Sequence, residues 1–489
     1  MKSPLNMYFL PYISPGHMIP LTEMARLFAN QGHKVTIITT PLNANLLNKY
    51  TTTNLTLHLI PLPTKETGLG DGLENFISVN DLDTADKLYH ALSRMQPAIE
   101  NFIKENPPDC IVSDMFYPWT ADLAVELSIP RIVFHGACIF AMCMKESMRG
   151  PEAPHLKVKS DYEVFEVKEL PDPVYITRAQ LPDYVRTPYG YTQLMEIWRE
   201  AEKKSYGVMV NNFYELDSAY TDYYSKLLDH KVWNIGPTAQ ILNRDAGEKA
   251  ERVHKAVVSE NECLSWLDTK EPSSVFYVCF GSAIRFPDEQ LYEIACALES
   301  SGTQFIWAVL GKEKDSDSDS NSNPDSSWLP AGFEEMLKET GRGMIIRGWA
   351  PQALILDHPS VGGFMTHCGW NSTIEGVCAG VAMVTWPLYA EQFYNEKLIT
   401  QVLKIGVEAG VEDWNLWVDV GKKLVKREKI EAAINSVMGG EGVEMRRNAK
   451  ELSEKAKKAM EDGGSSHRNL LALIEDLQRI RDDKLKVDV

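Results

Sequence analysis

Positive charge is in deficit in this chain. Its 50 lysines and arginines face 68 aspartates and glutamates, a formal net charge of −18 over 489 residues. Phosphate backbones and anionic bilayers attract basic patches, so nucleic acid and membrane surfaces are excluded as expected partners. Cysteine is scarce as well: the eight, at 110, 138, 143, 263, 279, 296, 368 and 378, lie mostly in apolar segments and show no Cys-x-x-Cys spacing. They read as reduced packing thiols rather than a zinc site or a disulfide frame. No run of about 18 apolar residues is present, and prolines break the short N-terminal one. A soluble, cytoplasmic, monomeric protein without stable membrane insertion is expected. Gly68-Leu-Gly-Asp-Gly72 lacks the spacing and strand-to-helix context of a dinucleotide fingerprint, so no nicotinamide is called for. The Asp-x-Asp steps between Lys314 and Pro324 have the spacing of a metal-binding motif, yet they sit in a polar low-complexity run that reads as a disordered surface loop. No metal and no cofactor is expected.

What is abundant is apolar sequence, 44% of the chain, in short runs that alternate with helical patterns. Such alternation predicts an α/β fold with parallel sheets. Strands are expected at 6–13, 34–39, 55–62, 110–114, 130–136, 206–212 and 232–237, then at 274–280, 304–309, 343–348, 361–366 and 382–386. The length exceeds one ordinary core, which favours two domains. Gly236-Pro-Thr and the charged stretch from Arg244 to Glu262 mark the break. The expected division is 1–240, a linker at 241–262, 263–465, and a C-terminal helix at 466–489 that returns to the first domain.

The 44 residues from Trp349 to Gln392 are the most informative. Val361–Thr366 reads as a buried strand, His367–Asn371 as a turn, and Ser372 onward as a helix. A helix start carries unpaired N–H groups and about half a positive charge, which suits phosphate. Gly369 lets the backbone approach, while His367, Asn371 and Ser372 are donors. Glu375 lies one turn from Asn371 and can accept from two vicinal ribose hydroxyls. Trp349 offers a flat face to a base whose edge Ala350 and Gln352 can read, and Glu391 and Gln392 combine acceptors and donors for sugar hydroxyls. The ordered set reads as a nucleotide-sugar site, although each residue alone fits an ordinary strand, turn and capped helix.

A second constellation lies near the start. Residues 6–13 form a strand, Ser14-Pro-Gly-His17 a turn, and Met18–Ala29 an amphipathic helix, so His17 stands at a strand's carboxyl end, where open α/β sheets bind ligands. With an ordinary pKa of about 6.5, a neutral imidazole there can take a proton from a hydroxyl. Cys110–Asp114 is another such strand, and its terminal carboxylate can hold the far nitrogen of His17. Taken singly, His17 reads equally as a helix-start packing residue and Asp114 as a helix N-cap.

The 349–392 stretch resembles, over its full length, the signature box of the plant secondary product glycosyltransferases, the UDP-dependent glycosyltransferases of family 1. The resemblance implies a GT-B architecture, two Rossmann-like domains facing across a cleft. It implies that Trp349 stacks on uracil, that Ala350 and Gln352 bind the base and ribose region, and that Glu375 holds the ribose. His367, Asn371, Ser372 and the Gly281-Ser282 step would take the diphosphate, and Trp370, Glu391 and Gln392 would line the sugar. His17 and Asp114 fall at the family's general base and its acidic partner.

By the same resemblance the chain is an inverting O-glycosyltransferase. It would move a hexose, with Gln392 favouring glucose, from a UDP-sugar donor to a hydroxyl of a small lipophilic acceptor such as a triterpenoid or flavonoid, giving a β-glycoside. UDP-galactose, UDP-glucuronate or a UDP-pentose, elongation of an existing sugar, and a catalytically silent UDP-sugar binder are the alternatives. Two departures stand out. Gly380-Val381-Ala382 lacks the family's usual proline, worth about 0.4–1 kcal/mol of loop stiffness, and Ala137 lacks the hydroxyl that relatives often carry near the sugar.

Overall fold

The computed structural model describes residues 3–487 apart from 71, 239–259, 283, 313–327, 420 and 422. Most of the expected linker and the Asp-x-Asp run therefore lie outside the described residues. The chain divides into two compact units, one from 1–143, 188–242 and 457–489, the other from 144–187 and 243–456.

The first unit is built on a sheet of seven strands, all parallel: β1 (Asn6–Leu10), β2 (Lys34–Thr39), β3 (Leu55–Leu59), β4 (Cys110–Asp114), β5 (Arg131–His135), β8 (Gly207–Val210) and β9 (Lys231–Asn234). Central strands such as β4 and β5 are buried at every residue, as strands with both faces covered must be. The order is β3-β2-β1-β4-β5-β8-β9, so the winding reverses between β1 and β4. Their carboxyl ends open the crevice where doubly wound sheets take ligands. The Ser465–Val487 helix completes this unit: Ser466 Oγ donates to the Gly236 carbonyl at 2.6 Å, Ser465 Oγ to Glu215 at 2.7 Å, and Lys231 pairs with Asp476.

The second unit repeats the plan with β10 (Val275–Cys279), β11 (Gln304–Val309), β12 (Gly343–Arg347), β13 (Val361–Thr366), β14 (Ala382–Thr385) and β15 (Gly406–Glu408). Its parallel sheet runs β12-β11-β10-β13-β14-β15 and reverses between β10 and β13. An antiparallel hairpin, β6 (Val164–Val167) and β7 (Val174–Thr177), joins it. The expected first domain, 1–240, includes this segment, but its hydrogen bonds run to the second unit. Gln401 accepts from the Tyr175 N–H and donates to its carbonyl, each at 2.8 Å, and Trp414 N donates to Ala179 O at 2.9 Å. A core of aromatic edges, with Phe280, Phe286 and Trp386 in mutual T-shaped contact, lies beside β10 and β14 and fixes their ends.

Among the described residues no helix is long and apolar enough to cross a membrane, and no cluster of three or more His, Cys, Asp or Glu is arranged to hold a metal.

Candidate active site

Each reversal point carries a histidine. In the first unit the chain leaves β1, turns at Ser14 and enters the Pro15–Asn30 helix, with proline in its first turn where the missing N–H costs nothing. His17 lies in that turn. Because β1 and β4 are hydrogen-bonded in register, with Leu10 opposite Ser113, the imidazole meets Asp114 at the end of β4. His17 Nδ1 lies 2.7 Å from Asp114 Oδ2; the His17 side chain is 23% exposed and Asp114 fully buried. A carboxylate only accepts, so Nδ1 carries the proton and Nε2 is left as the basic nitrogen. The other carboxylate oxygen accepts from the Phe116 N–H at 3.1 Å. Asp114 is thus oriented from both sides.

Packing holds the ring as tightly as the hydrogen bond does. Phe116 and Tyr12 lie 5.2 and 6.0 Å from it, centroid to centroid. On the remaining side runs the backbone of Gly136, where an added Cβ would sit 2.6 Å from His17 Cε1 and 2.9 Å from both ring nitrogens. Any larger residue would overlap the ring face. Gly136 cannot retreat easily, because the preceding His135 is buried and bonded to Glu202 at 2.9 Å, itself held by Tyr224 at 2.6 Å. Beneath the dyad, buried Arg131 donates to Ser113, Thr120 and Ser205 at 2.7–2.9 Å and locks the chain leaving β4. Burial lowers its pKa to about 10, so it stays cationic at neutral pH.

In the second unit His367 follows β13 and Gly281-Ser282 follows β10. An added Cβ at Gly281 would lie 2.7 Å from His367 Cε1, and one at Gly369 only 2.4 Å from Nε2. Two glycines therefore make the slot that this imidazole fills. Burial pushes its pKa down to about 4, so it is neutral, and its buried Nδ1 has no hydrogen-bond partner among the described residues. The helix beyond starts at Trp370, two residues before the expected Ser372, with Gly369 at the N-cap and no side chain capping it. Asn371 and Ser372 are accordingly first-turn residues rather than caps. Its end offers what an anion needs, N–H groups and the positive end of the dipole.

Of the remaining residues of the 349–392 stretch, Gln352 is bonded to this helix, and several differ from their expected duties. Gln352 Nε2 donates to Glu375 Oε2 at 2.7 Å and to Ser372 Oγ at 3.1 Å, which joins three candidates in one chain. The Gln352 backbone N–H donates to Ala350 O at 2.8 Å. Trp349 is half-buried after β12, whereas Trp370 is only 3% exposed, so its indole is mainly core. Gln392 is buried and its carbonyl oxygen accepts from the N–H groups of Leu388 and Tyr389 at 2.9 and 3.1 Å. Only its amide NH₂ can still serve a sugar. Glu391, half-buried, begins the Gln392–Lys397 helix.

Two non-glycine residues here are left-handed, Cys368 at φ 64° and Ala390 at φ 51°. Such a conformation costs about 1–2 kcal/mol each and persists only where the surroundings enforce it. One lies between His367 and Gly369, the other directly before Glu391. Neither could be read from sequence, nor could the space-making roles of Gly136 and Gly281, since both depend on what packs against the backbone.

A family model described as UDP-glucoronosyl and UDP-glucosyl transferase matches residues 13–441. The chain belongs to this family. It is a glycosyltransferase, and its α/β fold is GT-B, as the signature box implied. It is 84% identical over 485 residues to UDP-glucosyl transferase 73CC6 of Saponaria officinalis, covering 99% of each chain. It is 44% identical to the soyasapogenol B glucuronide galactosyltransferase of Glycine max, covering 98% of this chain and 97% of that one. Among solved structures, UGT73P12 of Glycyrrhiza uralensis, complexed with glycyrrhetinic acid 3-O-monoglucuronide, superposes with a TM-score of 0.90 at 42% identity, covering 99% of this chain and 98% of that one.

Proposed function

We propose that the enzyme transfers glucose from UDP-glucose to a hydroxyl of a lipophilic triterpenoid or flavonoid, with inversion to a β-glycoside. The observation that carries this is the His17–Asp114 dyad, 2.7 Å apart at the reversal point of the first sheet. His17 Nε2 takes the acceptor proton while Asp114 stabilises the imidazolium. The acceptor oxygen bonds to the anomeric carbon as the bond from that carbon to the diphosphate oxygen breaks, and its electron pair leaves with UDP. Attack opposite the leaving group turns an α-linked donor into a β-linked product.

The donor is assigned to the second unit. Trp349 stacks on the uracil, Ala350 and Gln352 lie along the base and ribose, and Glu375, oriented by Gln352, accepts from the ribose. The diphosphate lies at the start of the Trp370–Ala379 helix against Asn371, Ser372, Ser282 and the neutral His367, whose unpartnered Nδ1 fits a phosphate oxygen. Glu391 and the Gln392 amide group face the sugar, to which Trp370, 3% exposed, offers at most an edge. These donors take up the charge of departing UDP, so the reading requires no metal and no cofactor. The same reading makes the enzyme a cytoplasmic monomer.

Glucose is supported by the glucosyl transferase at 84% identity. A second reading, extension of a sugar already on a triterpenoid, is favoured by one relative named for soyasapogenol B glucuronide and by a solved relative complexed with glycyrrhetinic acid 3-O-monoglucuronide. The test is incubation of purified enzyme with a panel of UDP-sugars against triterpenoid and flavonoid aglycones and their monoglycosides, followed by product mass and anomeric coupling. The proposal expects one added hexose in β linkage from UDP-glucose. Product from glycosides alone supports the second reading, and binding of UDP-sugar without turnover on any acceptor leaves a silent binder.

A further inference from the structure

Of the left-handed non-glycine residues in the second unit, the two within the 349–392 stretch, Cys368 and Ala390, are held by different donors. Asn395, fully buried, donates from Nδ2 to the Cys368 carbonyl at 2.8 Å and reaches Glu391 Oε1 at 3.4 Å. Trp414, 7% exposed, donates from Nε1 to the Ala390 carbonyl at 3.0 Å. Cys368 sets the path from His367 to the start of the helix; Ala390 sets the path into Glu391. The short Gln392–Lys397 helix that carries Asn395 is itself fixed. Glu396 accepts from Thr385 at 2.8 Å and from Lys397 at 3.0 Å, and Lys397 donates to Glu408 at 2.7 Å. A rigid helix makes Asn395 a fixed point from which a strained carbonyl can be held.

We propose that Asn395 and Trp414 are positioning residues of the donor site: each secures the carbonyl of a left-handed residue, Asn395 for the diphosphate turn and Trp414 for Glu391 at the sugar. The inference rests on the donor assignment above. Loss of a donor lets the strained residue relax toward its ordinary backbone region, and the ligand that depended on the turn loses its partner. The two anchors therefore act on different parts of one ligand. Asn395 governs affinity for UDP itself and, through its longer contact to Glu391, touches the sugar side as well, whereas Trp414 governs only the affinity that UDP-glucose adds over UDP.

The design uses glycine as the rescue, because glycine takes positive φ without steric cost. UDP and UDP-glucose affinities are measured by calorimetry on the full chain for wild type, Asn395→Ala, Trp414→Phe, and the pairs Asn395→Ala with Cys368→Gly and Trp414→Phe with Ala390→Gly. Asn395→Ala is expected to weaken UDP about tenfold, and the paired Cys368→Gly to restore it to within about threefold. Trp414→Phe, which keeps an aromatic ring and deletes the donor, is expected to leave UDP unchanged and weaken UDP-glucose about fivefold, with recovery on Ala390→Gly. Unchanged UDP affinity in Asn395→Ala overturns the proposal. So does a loss that glycine fails to repair in a variant with wild-type thermal stability, since that loss would not come from strain. Wild-type enzyme that fails to bind UDP would instead refute the donor assignment and leave the anchors without a ligand.

Discussion

Gly136→Ala is the sharpest single test of the base assignment, because it changes one methyl group on a residue that carries no chemistry. The new Cβ would stand 2.6 Å from His17 Cε1, whereas ordinary contact begins at 3.4 Å, so the ring must move by about 1 Å. It cannot do so and keep Asp114, whose buried carboxylate is fixed at 2.7 Å and also bonded to the Phe116 N–H. Nor can the glycine withdraw, with His135 tied to Glu202. A misplacement of about 1 Å in a reacting group costs on the order of 10²-fold in rate. Overpacking should add roughly 1–3 kcal/mol of destabilisation. The assay is kcat on a phenolic acceptor at saturating UDP-glucose, with UDP affinity by calorimetry as the internal control. The expected result is kcat down about 100-fold with UDP binding unchanged. Wild-type kcat in a folded Gly136→Ala enzyme would show that the ring held in this pocket is not the base.

Three further outcomes follow from the same geometry. His17→Ala should lower kcat by about 10²–10⁴-fold, the usual contribution of positioned proton transfer, and leave UDP affinity near wild type; a fully active variant would move the base elsewhere. Gly369→Ala, which drives a methyl group to 2.4 Å from His367 Nε2, should raise the Kd for UDP by about tenfold or more while the acceptor half stays intact; unaltered titration would refute the slot. For pH, His367 is depressed to about 4 in the folded protein against about 6.5 unfolded. Between those values the unfolded chain binds the extra proton, so the contribution of this group to stability is complete above pH 6.5 and is lost as pH falls toward 4. His367→Gln should therefore reduce the loss of urea-unfolding stability over that range, the other buried histidines keeping their share, and a variant as acid-sensitive as wild type would refute the burial argument.

The strands that carry the site were legible because parallel strands buried on both faces leave unbroken apolar runs. β2, β4, β11 and β13 match the expected bounds, while the first expected strand, 6–13, stops at Leu10, since Pro11 cannot extend the ladder. β6, β7 and β15 were not among the expected strands: β6 and β7 pair only with each other and leave alternate residues open rather than forming a buried apolar run, and β15 is three residues long. The pairing of His17 with Asp114 was foreseeable, for both stand at strand ends on one sheet edge. What packs against a backbone was not. Nothing in Phe134-His-Gly136 announces that the glycine supports an imidazole far away in sequence. Sequence likewise allotted the whole Gln392 amide to a sugar, whereas its carbonyl holds Leu388 and Tyr389.

The route of the chain between its two units has a consequence for biosynthesis. The unit that begins at the first strand is finished only by the Ser465–Val487 helix, whose Ser466 closes on Gly236 and whose Asp476 pairs with Lys231. Domains usually mature in the order they leave the ribosome. Here the earlier-made half must wait, its β9 edge uncovered, until that helix is translated, while the half carrying His367 is already whole. A premature stop near residue 456 would thus spare the later-made lobe and cripple the earlier one.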